Sequence, residues 1–322
     1  MIWLIGHKGM LGREIARTLS DRNIAWLGTG RDVDITNMST LENFAASHDS
    51  SAGRTGLTAS TKTVPGKITW VINCAGYTPV DKAETDHAAA KKCNEDGARN
   101  IARITRSIGA RLIHISTDYV FDGINRTEPY GDDDEKHPLN IYGKTKSDGE
   151  DAIKKTMAQY YILRTAWLYG FEGKNFVYTM THAMNTQDMV RVVDDQTGSP
   201  TSASDVAAIV LKIILTAAAA HSLFGKNSAI PYGIYNCTSK GSVTWYGFAK
   251  KIYELGKKHR RIEHTCNVSP CTSTDWPSPA RRPAYSVLSV QKLESALKTK
   301  IPHWEESLEQ FIKSERFNSE TL

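Results

Sequence analysis

The chain has 322 residues, of which 40% are hydrophobic, and at this length we expect two lobes, each with its own buried core. The formal net charge of +5 comes from basic residues that are scattered apart from residues 250–251 and 257–261. The run 257–261 is interpreted as a solvated helix end, with a nucleic-acid patch as the minor alternative, so no nucleic-acid partner is expected. Five cysteines without Cys-x-x-Cys or histidine-cluster spacing indicate reduced thiols, a cytoplasmic location and no bound metal. The longest apolar run, residues 206–220, contains a lysine and is too short to span a bilayer, so no membrane partner is expected.

A strand-like apolar run at the N-terminus leads directly into three glycines, each three residues from the next. Gly6 would permit a tight turn, Gly9 would let the backbone approach a pyrophosphate, and Gly12 would let the following helix pack closely on the sheet. That helix is expected to begin near Met10 and Leu11. The spacing is longer than Gly-x-Gly-x-x-Gly, but its place after a buried strand predicts dinucleotide binding.

The second predicted strand, residues 24–29, leads to Arg31 and not to an acidic residue that would accept a hydrogen bond from a ribose 2′-hydroxyl. Arg31 therefore favours a 2′-phosphate and NADPH, with an exposed loop arginine as the alternative. Asp34 and Ile35 could flank an adenine. Asp34 could equally cap a helix that begins near Ser39.

A segment rich in Ser, Thr and Gly, residues 48–67, has no periodicity and is expected to be a surface excursion of unassigned role. The third predicted strand, residues 68–73, is followed by Ala75, Gly76 and Tyr77. Small residues at this end of a parallel strand are what a sheet needs where a cofactor crosses its edge.

The fourth predicted strand, residues 111–116, places Thr117 and Asp118 at the same edge of the sheet. His114 lies inside this strand and is interpreted as a core residue or a support for the site, not as a catalytic base. At the start of the next predicted helix, Tyr142 and Lys146 are one turn apart, which puts a phenol and an ammonium on the same face. We expect the nearby cation to lower the phenol pKa toward the range of acid–base catalysis.

Repeated strand–helix alternation predicts an α/β fold with a doubly wound parallel (Rossmann) sheet and a smaller C-terminal α+β substrate domain. The dinucleotide-binding domain is expected at residues 1–166, with return segments at about 189–221. The substrate domain is expected at about 167–188 and 222–322. In the latter, a proline-rich loop carries Arg281 and Arg282, which could bind a phosphate in bidentate fashion or act as a structural clamp.

In their order along the chain, these motifs resemble the extended short-chain dehydrogenase/reductase superfamily and, within it, the dTDP-4-dehydrorhamnose reductase family. The stretches that carry the narrower resemblance are residues 77–84, 164–170, 195–201 and 279–283. The resemblance implies reduction of the C4 ketone of a nucleotide-linked 4-keto-6-deoxy sugar by NADPH or NADH. In this family the reaction belongs to dTDP-rhamnose and cell-surface polysaccharide biosynthesis.

The resemblance also implies roles for individual residues. Tyr142 would give a proton to the ketone oxygen, Thr117 would donate a hydrogen bond to it, and Lys146 would hold the nicotinamide ribose and lower the phenol pKa. Trp167 matches a family position that contacts the sugar, and packing is an equally weighted reading. Sugar-nucleotide dehydratases have Asp-Glu after the threonine where this chain has Asp118 and a tyrosine, which argues against dehydration.

A second hypothesis is a binding role without catalysis, because the same motifs resemble the regulatory beta subunit of methionine adenosyltransferase. The intact Thr117, Tyr142 and Lys146 favour an enzyme. The sequence leaves open which nucleotide sugar is the substrate, whether a divalent ion is needed, and whether the chain forms a homodimer.

Overall fold

The computed structural model describes residues 1–48, 66–220 and 230–318. Most of the predicted excursion at 48–67 lies outside the described residues. The strands are β1 (Ile2–Ile5), β2 (Trp26–Thr29), β3 (Trp70–Asn73), β4 (Arg111–Thr117), β5 (Tyr160–Thr165), β6 (Leu168–Tyr169), β7 (Met189–Val193), β8 (Thr197–Gly198), β9 (Thr201–Ser202), β10 (Gly233–Asn236), β11 (Val243–Thr244) and β12 (Asn267–Cys271).

The α-helices alternate with the strands in the first half and dominate the second. They are α1 (Met10–Asp21), α2 (Met38–Ser47), α3 (Val80–Ala83), α4 (His87–Lys91), α5 (Gly97–Ser107), α6 (Ile141–Thr156), α7 (Phe176–Thr186), α8 (Ala203–Ala220), α9 (Trp245–Lys258), α10 (Gln291–Leu297) and α11 (Trp304–Lys313). A π-helical turn, Lys92–Asp96, joins α4 to α5 without a break, and a 3₁₀ turn, Asp118–Val120, follows β4. Among the described residues, no helix combines the length and the apolar character needed to cross a membrane.

The central sheet has six parallel strands in the order β10-β5-β4-β3-β1-β2, which confirms the predicted doubly wound α/β fold. The strand order reverses between β1 and β3, and ligands of such sheets bind outside the carboxyl ends of the strands at this point. Both faces of the sheet are covered by helices, and this explains why its strands are mostly apolar and buried.

The side chains of β1 show how the two faces are filled. Ile2 and Leu4 point into one core, which α1 and α8 complete, whereas Trp3 and Ile5 point into the other, beneath α2 and α5. All four side chains are at most 2% exposed. The alternation follows from the two-residue period of a strand.

The second lobe is built around aromatic side chains of α7, α9 and α11. Two placements differ from the expected domain segments. β7, within the predicted return segment, pairs with β12 in a separate two-stranded sheet, whereas β10 crosses back and forms the edge of the central sheet beside β5. α8 packs on α1 of the first half of the chain. Four-residue strands such as β10 carry too short a pattern to reveal which sheet they join.

Candidate active site

The glycine turn after β1 is shaped by two glycines and left open at the third. Gly6 has φ of +81°, a conformation that side chains disfavour, and a Cβ on Gly12 would overlap the Gly6 carbonyl oxygen. A Cβ on Gly9 would meet only that same oxygen, at 3.4 Å, and Gly9 is exposed. No side chain of Gly9 can cap α1, so the N–H groups of Met10 and Leu11 are available for an anion.

Residues 31–35, which the sequence predicts to contact an adenosine, follow β2. Arg31 is exposed, and Ile35 is buried against Gly97 of α5. The carboxylate of Asp34 accepts a hydrogen bond from the Thr36 N–H at 2.9 Å, which lowers its pKa. α2 is capped by the Asn37 side chain, so the alternative role of Asp34 as the helix cap is wrong.

The segment after β3 runs against the lysine predicted to be catalytic. The Ala75 N–H donates to Asn73 Oδ1 at 2.9 Å, and a Cβ on Gly76 would lie 4.0 Å from Lys146 Nζ. Tyr77 follows, with its hydroxyl donating to Asp86 at 3.1 Å. The small residues predicted to lie under a cofactor and the predicted catalytic helix therefore meet at one place.

Asn94 holds this segment in position, and sequence reasoning missed it. Its Oδ1 accepts from the Tyr77 N–H at 2.8 Å, and its Nδ2 donates to the Tyr77 carbonyl at 3.1 Å and to Thr145 Oγ1 at 3.1 Å. It lies in the π-helical turn, a feature often found at functional sites. A signal was present, because Asn94 interrupts an apolar stripe with Ala90 before it and Ala98 after it at four-residue spacing.

Thr117 and Tyr142 come together at the carboxyl edge of β4. The Asn140 side chain caps α6 by accepting from the Gly143 N–H at 2.8 Å, and this fixes the first turn that carries Tyr142. The Thr117 hydroxyl donates to Asp118 Oδ1 at 3.0 Å and also hydrogen-bonds the Tyr142 phenol.

The expected direction of the Tyr142 pKa is wrong in this structure. Burial raises the pKa of Tyr142 to about 12, and the Thr117 hydroxyl beside the phenol opposes this rise only in part. The negative charge of Asp118 adds to the rise. Desolvation outweighs the cation because the ammonium of Lys146 is directed elsewhere.

Lys146 is buried, and its Nζ donates to the Ile115 carbonyl at 2.6 Å. Burial lowers the pKa of Lys146 to about 8, while the negative charge of Glu150, one turn further along α6, opposes the change. Glu150 is itself fully buried in a bidentate pair with Arg164, at 2.9 and 2.8 Å, and Ser116 donates to it at 2.6 Å. A network of buried charges thus lies behind the site.

Asp118 is 2% exposed, and burial raises its pKa to about 6 despite the hydrogen bond that its Oδ1 accepts from Thr117. Its neighbour Tyr119 packs edge-on against Tyr142, with ring centroids 5.8 Å apart. Tyr119 therefore offers a ring, and no carboxylate, beside Tyr142.

The two loop arginines have different environments. Arg282 Nη2 is 2.9 Å from Asp81 Oδ2, and the guanidinium also hydrogen-bonds the Tyr119 hydroxyl. Arg282 therefore acts as the structural clamp, because its contact with Asp81 joins positions 201 residues apart. The side chain of Arg281 is exposed, and its carbonyl accepts from Asn140 Nδ2 at 2.8 Å.

Trp167 adopts the left-handed backbone conformation, with φ of +46°. One face of its indole stacks on Trp245 with centroids 3.5 Å apart, and the backbone of Gly198 lies against the ring. Most of the Trp167 ring is therefore packed against protein, as the alternative interpretation predicted, but part of the side chain stays exposed.

A cavity of about 450 Å³ lies elsewhere, where α1, α8 and α11 meet, and it contains none of the predicted site residues. Beside it, Glu14 accepts from Arg316 at 2.7 Å, from Arg17 at 2.7 Å and from Ser204 at 3.0 Å. Burial alone would raise the pKa of Glu14, but these partners lower it to about 2. The contact ties the C-terminal segment to the first lobe.

Comparison with known proteins gives one consistent result. A family profile described as the RmlD substrate binding domain matches residues 1–317. The chain is similar to a dTDP-4-dehydrorhamnose reductase of Streptomyces griseus, with 37% identity over 95% of this chain and 91% of the relative. It is 36% identical to a probable dTDP-4,6-dihydroxy-2-methyloxan-3-one 4-ketoreductase of Streptomyces antibioticus, over 96% of this chain and 93% of the relative.

A crystal structure of dTDP-4-dehydrorhamnose reductase from Bacillus anthracis, in complex with NADP, resembles this fold. Its TM-score is 0.81 at 33% identity, and the match covers 96% of this chain and 97% of that chain.

Proposed function

Because this chain belongs to the dTDP-4-dehydrorhamnose reductase family, we propose that it reduces dTDP-4-dehydro-L-rhamnose at C4 to give dTDP-L-rhamnose, with NADPH as the reductant. The observation that carries the proposal is the meeting of Thr117, Tyr142 and Lys146 with Gly76 at the edge of the sheet where the strand order reverses. A carbonyl reductase needs a proton donor beside a dinucleotide site, and this edge supplies both.

The cofactor would be held by backbone groups of the first turn and by side chains along the sheet edge. The open Gly9 backbone and the free N–H groups at the start of α1 fit a pyrophosphate, and the exposed Arg31 fits a 2′-phosphate. Further contacts are assigned to Asp34, Ile35, Ala75, Gly76, Tyr77, Tyr142 and Lys146. When bound, NADPH supplies the hydride. NADH would bind less tightly because it lacks the group that Arg31 meets.

Tyr142 is the proposed general acid. Its raised pKa keeps the phenol protonated at neutral pH, so the group can hydrogen-bond a ketone oxygen and transfer its proton as negative charge develops there. The Thr117 hydroxyl would turn from Asp118 toward the same oxygen. Lys146 would hold the cofactor ribose with its ammonium.

The substrate is assigned to the carboxyl edge of the central sheet, beside Thr117 and Tyr142. We place the diphosphate near the exposed Arg281, the sugar near Asp118 and the free edge of Trp167, and the ketone at Tyr142. Arg282 would contribute by holding the loop. The division into a dinucleotide-binding domain and a substrate domain is part of this proposal.

The choice of sugar is the finer part of the proposal. The relative from Streptomyces antibioticus is named for a different dTDP-linked ketone, so several 4-keto sugars are candidate substrates. Dehydration is disfavoured because Tyr119 packs its ring where an acid or base would be required. We also propose that the enzyme acts in the cytoplasm, where its five unpaired cysteines would stay reduced.

The direct test follows NADPH oxidation at 340 nm with dTDP-4-dehydro-L-rhamnose, and with other dTDP-4-keto sugars in parallel. Oxidation with formation of dTDP-L-rhamnose is expected. Binding of NADPH without oxidation of any of these sugars would instead favour the regulatory-subunit hypothesis. Light scattering on the same preparation decides between a monomer and a homodimer.

Cofactor choice is tested by replacing Arg31 with Ala. We expect the Kd for NADPH to rise about 10-fold or more, because a charge-assisted hydrogen bond contributes about 1.5–3 kcal/mol, while the Kd for NADH stays nearly constant. Equal losses for both cofactors would contradict the assigned 2′-phosphate contact.

A further inference from the structure

Two buried polar residues on neighbouring strands stand behind Lys146 and have no place in the mechanism so far. Asn73 and His114 are partners in the register of β3 and β4, and each is 1% exposed. His114 Nδ1 lies 2.9 Å from Asn73 Nδ2, and His114 Nε2 lies 3.4 Å from Lys146 Nζ. The imidazole therefore bridges the asparagine and the lysine.

The orientation of the Asn73 amide follows from its other contact. The Ala75 N–H donates to Asn73 Oδ1 at 2.9 Å. A backbone N–H can only donate, so this atom must be the amide oxygen, and the atom facing His114 must be the NH₂ group. That group can only donate in turn. His114 Nδ1 is thus a hydrogen-bond acceptor and carries no proton.

His114 is uncharged, since burial and the neighbouring lysine hold its pKa well below the usual value. A neutral imidazole has a single proton, and with Nδ1 accepting, that proton must be on Nε2. The Nε2–H therefore points toward Lys146. An ammonium and an N–H are both donors, so they cannot bond to each other, and the ammonium donates to Ile115 O instead. The contact disfavours the charged lysine.

The other groups around Lys146 act in the opposite direction. Glu150 on the same helix favours the ammonium, as would the thiols of Cys74 and Cys93 if they were ionised. Burial raises the pKa of both thiols, to about 12 for Cys74, so they are neutral near pH 7. Burial lowers the proton affinity of Lys146 and the Glu150 carboxylate raises it, and the facing His114 N–H adds to the effect of burial.

We propose that Asn73 and His114 are a positioning pair that limits the proton affinity of Lys146: Asn73 fixes the Nε2–H tautomer of His114, and that N–H faces the lysine. The link to catalysis rests on the proposed function. In each turnover the phenol gives one proton to the ketone oxygen and must regain one from solvent. The charge of Lys146, one turn away, influences how readily the phenol gives up and regains this proton, while His114 stays neutral throughout.

The tautomer is measured directly by ¹⁵N NMR of the full-length, labelled wild-type chain without cofactor. The His114 resonances are assigned by through-bond correlation. We expect them to show a protonated Nε2 and an unprotonated Nδ1 throughout pH 6–8. A proton on Nδ1, or on both nitrogens, in this range would overturn the proposal. The measurement requires no variant and no turnover.

Two substitutions of His114 separate its two nitrogens. His114→Asn keeps an acceptor toward Asn73 but has no group near Lys146, whereas the amide nitrogen of His114→Gln can occupy the Nε2 position. The ¹³Cε shift of Lys146 is followed through its titration. The midpoint should be near 8 in the wild type and the Gln variant, and about one pH unit higher in the Asn variant. Equal midpoints in all three would refute an influence of His114.

A third variant reverses the His114 tautomer while keeping the shape of the side chain at residue 73. In Asn73→Asp, one oxygen still accepts from Ala75, and the other requires a proton on His114 Nδ1, which leaves Nε2 to accept from Lys146. The lysine midpoint should rise by at least as much as in His114→Asn. If it stays in place, the pair does not set the proton affinity.

Activity gives a separate readout. The alkaline limb of the kcat profile should follow the lysine midpoint in the His114 and Asn73 variants, and it should not move in His182→Gln, which alters an exposed histidine of the second lobe. If the tautomer and the lysine midpoints are as predicted but the protein never oxidises NADPH, the proposed function is wrong and the Asn73–His114 pair stands. If NADPH oxidation is normal but the Lys146 midpoints do not change in the variants, the role of the Asn73–His114 pair is wrong and the proposed function stands.

Discussion

The edge of the central sheet and the core of the second lobe bury different kinds of side chain. At the sheet edge, the buried set includes His114, Asp118, Lys146 and Glu150, all at most 5% exposed. In the second lobe, the core consists of Phe248, Phe311 and their aromatic neighbours.

The cost of these two arrangements differs. A buried charge is tolerated only when its partners are held in place, and a tightly hydrogen-bonded network keeps them there. An aromatic core stabilises through area and packing, with looser demands on geometry. The comparison indicates that the first lobe gives up some stability to hold a site in position. The second lobe supports the 270–283 loop, which reaches this site.

The largest effect is expected from Phe311→Ala in the aromatic core. Phe311 is 2% exposed and lies within 5.5 Å, centroid to centroid, of Tyr169, Phe171, Tyr178 and Phe317. The cavity left by its removal should lower the free energy of unfolding by about 3–5 kcal/mol, measured by urea denaturation. A loss below about 1 kcal/mol would show that the second lobe is not organised around this ring.

Tyr142→Phe should have the opposite profile, with little change in stability and a turnover lower by at least ~10²-fold, the usual scale for a general acid. NADPH affinity, measured by fluorescence titration, should be retained. Tyr119→Phe is the matched control, because it removes the neighbouring hydroxyl and preserves the edge-on ring contact. An unchanged rate in Tyr142→Phe would remove this phenol from the chemistry.

Glu14→Gln tests the charged contact that joins the C-terminal segment to α1. The folded-state pKa of about 2 lies below the ordinary value of 4.5, so the carboxylate stabilises the fold above pH 4.5, and this contribution is lost as the pH falls toward 2. The variant should be less stable by roughly 2–3 kcal/mol at pH 7, with a flatter dependence between pH 5 and 2. Parallel pH profiles for both proteins would show that Glu14 does not produce the acid sensitivity.

Arg282→Lys should have the smallest effect and acts where the two regions meet. A lysine lacks the planar guanidinium fork that meets Asp81, so the loop should loosen and the KM for the sugar nucleotide should rise about 3-fold to 10-fold with little change in kcat. Arg281→Lys is the control next to it, since a lysine keeps the charge toward a phosphate. An unchanged KM in Arg282→Lys would contradict the loop-holding role of Arg282.

The local patterns of the chain were sufficient for the fold class and for the relative placement of the glycine turn, Thr117, Tyr142 and Lys146. Each rests on residues close in sequence: a strand runs into its turn, and a helical turn aligns a tyrosine with a lysine four residues on. Strands that end at one edge of a parallel sheet bring such motifs together without further information.

Only the tertiary structure decided the electrostatics and the long-range partners. The rise in the Tyr142 pKa depends on how completely the folded chain removes water from the phenol, and spacing to Lys146 does not contain that quantity. The Asp81–Arg282 and Glu14–Arg316 contacts join residues 201 and 302 positions apart, and the tautomer of His114 depends on an amide of the neighbouring strand. Desolvation and pairing of distant side chains arise from packing, which a linear pattern of residue types does not specify.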